Sequence, residues 1–263
     1  MKKMMKNTMK SNFRQRQLPV DISKCVITKT KLAVLFLWHC IGSYVSLRIR
    51  GWRYEEAFLL TGTNAYMRKA VACWRLAARR GDIASMRNFG SCLATGNGCR
   101  KDMTRAMACY KAAAASGDVV AIHNIGACYS IGDGVPRDSK EAVRWLSQSA
   151  KRGFTWSVYF LGMHLCHGEG CDRDVERAFR CFRYAARRGI PNAQYDLAVC
   201  YANGEGVKRC VVLAILWLLL AALRGCDAAS SIVEGDLLVA WLDGDTGLDD
   251  NEKAIKRHGN LSG

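Results

Sequence analysis

The sequence repeats itself every 36 residues from residue 83 onward. Four copies without gaps cover residues 83–118, 119–154, 155–190 and 191–226. A glycine is the next-to-last residue of each copy, and the same spacing reaches back before the first one; these glycines are Gly81, Gly117, Gly153, Gly189 and Gly225. A repeat of about 20–50 residues predicts a stacked array, because one unit of this size cannot bury its own hydrophobic face.

Each copy predicts two helices joined by a glycine turn. The first helix carries a small residue, an apolar residue four positions later and another after four more, which places all three on one helical face. The turn contains G-x-G, because a chain often leaves a helix through left-handed dihedrals that glycine tolerates. An aspartate (Asp102, Asp138 or Asp174) then stands where an N-cap accepts hydrogen bonds from the amides of the second helix.

The copies share the pattern A-x-x-x-L-G-x-x-Y-x-x-G-x-G-V-x-x-D-x-x-x-A-x-x-W-Y-x-x-A-A-x-x-G, which resembles the Sel-one-like repeat, a relative of the tetratricopeptide repeat. Residues 64–82 match the second helix of a preceding copy, whose first helix, around Trp52 to Leu60, is degenerate. The resemblance implies an all-α, right-handed α/α solenoid of about five helical hairpins with degenerate caps. The last copy departs from the pattern, with Ala198 for the first-helix glycine and Cys210 for the cap aspartate.

Four segments are predicted along the chain. Residues 1–31 form a basic leader, and residues 32–63 an apolar helix with a degenerate N-terminal cap. Residues 64–226 form the solenoid, and residues 227–263 a degenerate C-terminal cap and tail.

The net charge of +16 is concentrated at the start of the chain. Residues 1–50 hold 11 Lys and Arg against a single acid, Asp21, which leaves +10 there and +6 on the other residues. Methionine and a basic residue recur every four positions in the leader, a pattern that resembles an organelle transit peptide or a helix on an anionic membrane, with a disordered basic tail as the alternative. The excess positive charge therefore indicates targeting or membrane contact through residues 1–50. Nucleic acid is not the expected partner.

An uncharged run of 16 residues, Leu32 to Leu47, follows the leader. A membrane-spanning helix normally needs about 20 apolar residues, so the run is short for a span. It either packs on the repeats as an N-terminal cap or anchors the chain in a membrane. We expect an intracellular reducing compartment, with a mitochondrial or membrane-anchored location as the alternatives.

The 13 cysteines follow the repeat. Cys92, Cys128 and Cys200 share one register position, and Cys73, Cys109 and Cys181 share another. An odd number of cysteines without CxxC pairs favours a reducing compartment, and the phasing predicts small buried hydrophobic side chains in place of disulfides or ligands.

The densest group of ligand-type side chains lies in the third copy. His164, Cys166, His167 and Cys171, with Glu169 among them, carry the imidazole and thiolate groups that suit zinc. Register positions explain each residue without a metal, so we expect no metal and no cofactor, and a metal- or ligand-dependent hydrolase at this cluster is an alternative function. An organellar RNA-binding accessory protein is another.

The resemblance implies a non-enzymatic scaffold or adaptor that binds a peptide or protein partner in the concave groove of the stacked repeats. By analogy with tetratricopeptide grooves, the partner-facing positions lie on the first helices. They are Arg87, His123, Tyr159 and Tyr195, then Ser91, Met163 and Val199, then Thr95, His167 and Asn203.

The second helix of the last copy is unusual. Its sequence VVLAILWLLLAALRG places apolar residues where the preceding copy has Glu176, Arg177, Arg180, Arg183 and Arg187. An exposed apolar face of this kind indicates a contact surface, which we expect to meet the C-terminal cap or a second protein. The apolar positions are Val212, Leu213, Leu216, Leu219 and Leu223.

Overall fold

The computed structural model of the chain describes residues 47–234. Every regular element in that range is an α-helix, and the helices form two compact units, residues 47–118 and residues 119–234. The predicted fold class, an all-α repeat built from consecutive helix pairs, is confirmed.

The unit of residues 47–118 contains two hairpins. The first pairs α1 (Leu47–Thr61) with α2 (Asn64–Arg79), and the second pairs α3 (Ile83–Thr95) with α4 (Met103–Ala115). Helix α1 covers the degenerate stretch around Trp52 to Leu60 and contacts α2 closely. Gly51 lies so near the indole of Trp74 that a Cβ there would overlap the ring, so α1 and α2 pair through the same kind of glycine-to-large-residue contact that Gly162 makes with Phe182.

The unit of residues 119–234 contains three hairpins and one further helix. The hairpins are α5 (Val119–Ile131) with α6 (Ser139–Lys151), α7 (Thr155–His167) with α8 (Val175–Arg187), and α9 (Pro191–Asn203) with α10 (Val211–Leu223). Helix α11 (Asp227–Glu234) follows them. Its buried side chains Ala229 and Ile232 join one hydrophobic cluster with Ala214, Leu218 and Ala221 of α10.

The second helix of each hairpin buries the same register positions. Ala178 and Phe182 of α8 are 1% and 4% exposed, and the equivalent Ala214 and Leu218 of α10 are both 0% exposed. The large residue packs against a small residue of the first helix, since a Cβ on Gly162 would stand within van der Waals overlap of the Phe182 ring. Alanine and glycine therefore set how closely the paired helices approach.

The second glycine of each turn fixes the spacing of successive hairpins. Gly170 has φ of 75° and lies against the backbone of Ser139 at the start of α6. Gly206 has φ of 65° and lies in the same way against Val175 at the start of α8. A side chain at either position would meet backbone atoms and a positive φ together, so the turn requires glycine.

The predicted aspartate caps are confirmed. The Asp102 carboxylate accepts from the Arg105 amide, Asp138 accepts from the amides of Lys140 and Glu141, and Asp174 accepts from the Arg177 amide. Cys210 has nearly the same backbone angles as Asp174 and makes no side-chain cap bond. Helix α10 therefore begins without the hydrogen bond that starts α8.

The leader, most of the apolar run from Leu32, and residues 235–263 lie outside the described residues, so the predictions of targeting, anchoring and a C-terminal tail are untested. Among residues 47–234, no single helix is long and apolar enough to cross a membrane. The two successive helical segments Val211–Leu223 and Asp227–Val233, bent by 116° relative to each other, are together long and apolar enough by length and composition alone.

Candidate partner-binding site

The first helices of the unit 119–234 leave a row of side chains accessible. Tyr195, Val199 and Asn203 follow one another at four-residue intervals along α9, and they are half-buried, half-buried and exposed. Met163 and His167 hold the equivalent positions of α7, where Met163 is half-buried and His167 is exposed. We call these five residues the first-helix stripe. Five of the ten predicted partner-facing residues therefore reach solvent together on one unit.

A carboxyl group lies beside this stripe. Asp196 is half-buried and accepts a hydrogen bond of 2.8 Å from the Tyr159 hydroxyl. No ion pair with a cation of the described residues forms at this carboxylate. Burial raises the pKa of Asp196 to about 7, and the Tyr159 hydrogen bond lowers it in part. The stripe therefore has a carboxyl group that a positive charge from outside would stabilise.

The same low-polarity environment affects Tyr195. Burial first, and the neighbouring Asp196 charge second, raise the pKa of Tyr195 to about 12. The phenol therefore remains neutral over the physiological pH range and presents an apolar ring with a hydroxyl at its tip, which is the chemistry that interface hot spots favour.

Two of the predicted partner-facing residues are interior, and their assignment to an accessible surface is wrong. Tyr159 is 0% exposed and His123 is 1% exposed. The His123 ring packs against Phe154 and Phe160, and its Nδ1 atom lies 2.9 Å from the Ser157 hydroxyl. Their side chains lie in the contact layer between α5, α7 and α9, so they hold the hairpins together.

Burial alone lowers the pKa of His123 to about 3. The ring is therefore neutral at physiological pH, and the bond to Ser157 links α5 to α7 without charge. His164 makes the same kind of link, because its Nε2 atom lies 2.9 Å from the Ser130 hydroxyl of α5. Two buried histidine–serine pairs thus fix the register between these neighbouring first helices.

The predicted positions on α3 belong to the other unit and are largely satisfied within it. The Arg87 guanidinium pairs with the Asp118 carboxylate at 3.0 Å, and the two side chains are only 12% and 11% exposed. Ser91 accepts a hydrogen bond from the Tyr110 hydroxyl, and the Thr95 hydroxyl donates to the Ser91 carbonyl. Arg87, Ser91 and Thr95 contribute more to the packing of α3 than to an open surface.

The ligand-type cluster of the third copy does not assemble around a common point. Both ring nitrogens of His164 are used, since Nδ1 lies 2.9 Å from the Glu169 carbonyl oxygen and Nε2 meets Ser130. A carbonyl oxygen only accepts, so Nδ1 carries the proton. Among residues 47–234, no three His, Cys, Asp or Glu side chains converge as a metal site would need, so His164, Cys166, His167 and Cys171 bring no ligand set together.

The described cysteines are present as thiols. Cys92, Cys128 and Cys200 are 0%, 0% and 4% exposed, which confirms their prediction as buried hydrophobic residues. Cys73, Cys109 and Cys181 are half-buried, because their register position lies at the edge of the second helix where the repeat usually has an aromatic residue.

The apolar face of α10 is exposed, as its sequence predicted. Val212 is 66% exposed, Leu216 is 56% exposed and Leu223 is 85% exposed, with Leu213 and Leu219 at 37% and 39%.

The sequence analysis missed one residue of the stripe region, Asp196. Its register position holds Asn88, Asn124 and Phe160 in the other copies, so a charged residue occurs there once. This change from an uncharged to a charged residue at an inner position is the sequence signal for Asp196.

Helical hairpins, glycine turns and capped second helices define an α-helical repeat protein with accessible first-helix side chains. The Sel1 repeat model matches residues 65–82, 83–118, 119–154, 157–190 and 191–226. The chain therefore belongs to the Sel1 repeat family, whose members are generally protein-interaction scaffolds and whose fold is typically non-catalytic.

Two solved structures share the fold. A Sel1 repeat protein from Oxalobacter formigenes is 25% identical, with a TM-score of 0.67 over 82% of this chain and 92% of that one. The protein c5321, a protective antigen present in uropathogenic Escherichia coli strains and displaying an SLR fold, is 20% identical, with a TM-score of 0.58. The alignment covers 98% of this chain and 60% of c5321. No curated protein sequence matches the chain.

Proposed function

We propose that this protein is a non-enzymatic adaptor that binds a protein partner through the first-helix stripe of α7 and α9. The observation that carries the proposal is the accessible row of Tyr195, Val199 and Asn203, with Met163 and His167 beside it, on helices whose other faces are buried. A rigid helical scaffold presents such a row without an ordering cost, which favours affinity.

The chemistry of the stripe favours an extended or helical segment with an apolar residue and a neighbouring Lys or Arg. Tyr195 and Val199 provide apolar contact area, and both pack against the buried cluster formed with α10 and α11. The Asp196 carboxylate has the Tyr159 hydroxyl as its hydrogen-bond donor and accepts a cation from the partner. An ion pair in this half-buried position is stronger than one in open water.

The family's general role in protein interactions supports the class of function, and the accessible side chains of the stripe support this location for it. The metal-dependent alternative has no support from the described residues, because the His164 nitrogens are already engaged. The RNA-binding alternative rests on the basic leader and the basic ends of the second helices, and it remains a prediction.

The test begins by capturing partners from the native cell with the tagged full chain and identifying them by mass spectrometry. The affinity of each purified partner is then measured for the wild type, Tyr195→Ala and Asp196→Asn. We expect Tyr195→Ala to weaken binding by about tenfold or more, as hot-spot truncations do. Asp196→Asn should remove a part of the affinity that decreases at high salt.

Gln148→Ala is the matched control, because Gln148 is an exposed residue of the second helix α6. It should leave the affinity unchanged. A partner that binds the Tyr195 and Asp196 variants as tightly as the wild type would contradict the assignment to this stripe.

A further inference from the structure

The outer face of α10 carries a continuous row of apolar side chains. Val212, Leu213, Leu216, Leu219 and Leu223 occupy positions that share one side of the helix, and their exposure reaches 85% at Leu223. A soluble surface rarely holds such a row without a partner. Arg224 follows its last residue directly, and Lys208 precedes the helix by three residues.

The outer face of α8 carries arginines at the equivalent positions. Arg177, Arg180, Arg183 and Arg187 are all exposed. Arg177 makes a long contact of 3.8 Å with Asp174, and the Arg183 guanidinium lies over the Phe179 ring. Arg180 and Arg187 form no ion pair with any acid of the described residues. Glu176 is also exposed and belongs to the same outer face, so this face carries four cations and one acid and keeps a net positive charge.

The two rows lie side by side. The turn before α10 contacts the start of α8, because Gly206 lies against the backbone of Val175 and Glu176. The end of α10 contacts the end of α8, because the Arg224 guanidinium lies where a Cβ on Gly189 would stand. The two helices therefore run alongside each other in the same direction, with these contacts at their two ends.

Their exposed faces also point the same way. Ala178 and Phe182 of α8 are buried at the same register positions as Ala214 and Leu218 of α10. Opposite each buried side, the exposed positions match at a spacing of 36 residues, so that Arg180 corresponds to Leu216 and Arg187 to Leu223. One surface therefore combines a row of cations with a parallel row of leucines.

We propose that the outer faces of α8 and α10 together form a docking surface for an anionic lipid bilayer. The α10 leucines enter the headgroup region, and the α8 arginines contact lipid phosphates and anionic headgroups. Peripheral membrane helices use the same combination of apolar side chains and basic residues, and they insert by about 5–10 Å. The surface described here differs in that its two components come from neighbouring helices of a repeat.

A bilayer fits this surface better than a second folded protein does. The two rows amount to about nine side chains, whereas a standard protein interface needs about 20–30 residues on each side. A bilayer requires no matching shape, and the charge of the α8 row complements anionic headgroups. The proposed partner stripe lies on α7 and α9, so the chain could hold a protein partner while its second helices contact the membrane.

Vesicle sedimentation of the purified full chain tests the proposal. The vesicles contain phosphatidylcholine alone, or phosphatidylcholine with about 30% phosphatidylserine. We expect the wild type to bind the anionic vesicles. The double variant Leu216→Ser with Leu223→Ser should bind about tenfold more weakly or worse, because each serine removes most of an inserted side chain. Both positions are exposed, so the fold, checked by circular dichroism, should be unchanged.

A second variant tests the arginine row independently. Arg180→Gln with Arg187→Gln should also weaken binding about tenfold or more, and this loss should largely disappear at about 0.5 M salt, where surface charges are screened. The loss caused by the serine variant should persist in salt wherever binding is still measurable, since apolar insertion is not screened.

Matched controls come from α1 and α2 and keep the basic leader intact. Leu59→Ser with Leu76→Ser removes two leucines that are 55% and 45% exposed, and Arg75→Gln with Arg79→Gln removes two exposed arginines. We expect both control variants to bind like the wild type. Equal binding by all variants would assign membrane affinity to residues 1–50 and overturn the proposal. Failure of the wild type to sediment with anionic vesicles would also overturn the proposal. The occupant of the surface would then be a second protein or residues 236–252 of the same chain, whose sequence is acidic and apolar.

Discussion

Helices α8 and α10 are successive copies of the same element, and their largest difference is on the outer side. Their buried sides share alanine, a large apolar residue and alanine, at Ala178, Phe182 and Ala185 in α8. Their outer sides are opposites, since α8 exposes arginines and α10 exposes leucines. The repeat constrains the residues that pack between hairpins and leaves the outer side to vary.

The comparison explains where interaction surfaces arise in such a molecule. A core position accepts any apolar residue of suitable size, so Leu218 stands where α8 has Phe182 and both side chains are buried. An outer position is exposed and adds little to the packing of the repeat, so a change of chemistry there points to a contact outside the hairpin. The α10 leucines are the clearest case among the described residues.

The largest expected effect comes from the buried sides. Phe182→Ala and Leu218→Ala should each lower the free energy of unfolding by roughly 2–5 kcal/mol, because both leave a cavity between paired helices. Urea unfolding followed by circular dichroism measures the change. Leu216→Ala on the outer side of α10 is the control and should stay within about 0.5 kcal/mol of the wild type. A control loss as large as that of Leu218→Ala would show that the outer row is buried in solution.

The second effect tests whether the His123 ring of the first helix α5 is buried between neighbouring hairpins. His123 has its pKa lowered to about 3 by burial, so it is neutral in the folded chain. The unfolded chain takes up a proton there below about pH 6.5, and folding is therefore weakened as pH falls from that value toward 3. The stability difference between the wild type and His123→Asn should shrink by about 2 kcal/mol between pH 7 and pH 5.

Urea titrations at several pH values measure this difference. His167→Asn changes an exposed histidine and is the control, for which the difference from the wild type should hardly vary. A His123 variant whose difference is constant from pH 7 to pH 5 would mean that the ring is solvated.

The third effect concerns Asp196, which lies beside the first-helix stripe. Its contribution to stability changes with pH in the opposite direction to that of His123. The pKa of Asp196 is raised to about 7, so the folded carboxyl group holds its proton to higher pH than the unfolded one. Its contribution to stability is present below about pH 4 and is lost as pH rises through about 7. Asp196→Asn should therefore be more stable than the wild type by about 1–2 kcal/mol at pH 8 and equal to it at pH 4.

Thermal unfolding at these two pH values measures the gain. Asp172→Asn changes an exposed acid in the turn before α8 and should be neutral at both. An Asp196 variant that loses stability at pH 8 would show that the carboxylate is already stabilised by a cation.

The smallest effect compares the starts of α8 and α10. Asp174 has φ of −141° and caps α8, whereas Cys210 has φ of −148° and caps nothing. Cys210→Asp should stabilise the chain by about 1 kcal/mol, and Asp174→Ala should cost about the same. If the gain in stability comes from the N-cap hydrogen bond alone, Cys210→Ser should also stabilise the chain, by a smaller amount. Destabilisation by Cys210→Asp would mean that the start of α10 is covered by another part of the chain.

The sequence predicted the fold almost entirely, because one repeat supplied four aligned versions of each position. The helix pairs, the glycine turns and the caps at Asp102, Asp138 and Asp174 all follow from residues that recur. Positions that differ between copies were predicted less well. His123 and Tyr159 were assigned to an accessible groove by register, yet ring size and packing against neighbouring copies decide whether such a side chain is covered. Asp196 was missed because its environment comes from burial in the folded repeat and from the Tyr159 hydroxyl, which lies 37 residues earlier in the chain.

The central claim is that the repeat buries one side of α10 and leaves its leucines exposed. Hydroxyl-radical footprinting of the purified full chain, read by mass spectrometry, tests it residue by residue. Leu216 and Leu223 should be oxidised as fast as the exposed Leu59 and Leu76, while Leu218 should be protected. Protection of Leu216 and Leu223 to the level of Leu218 would contradict the claim.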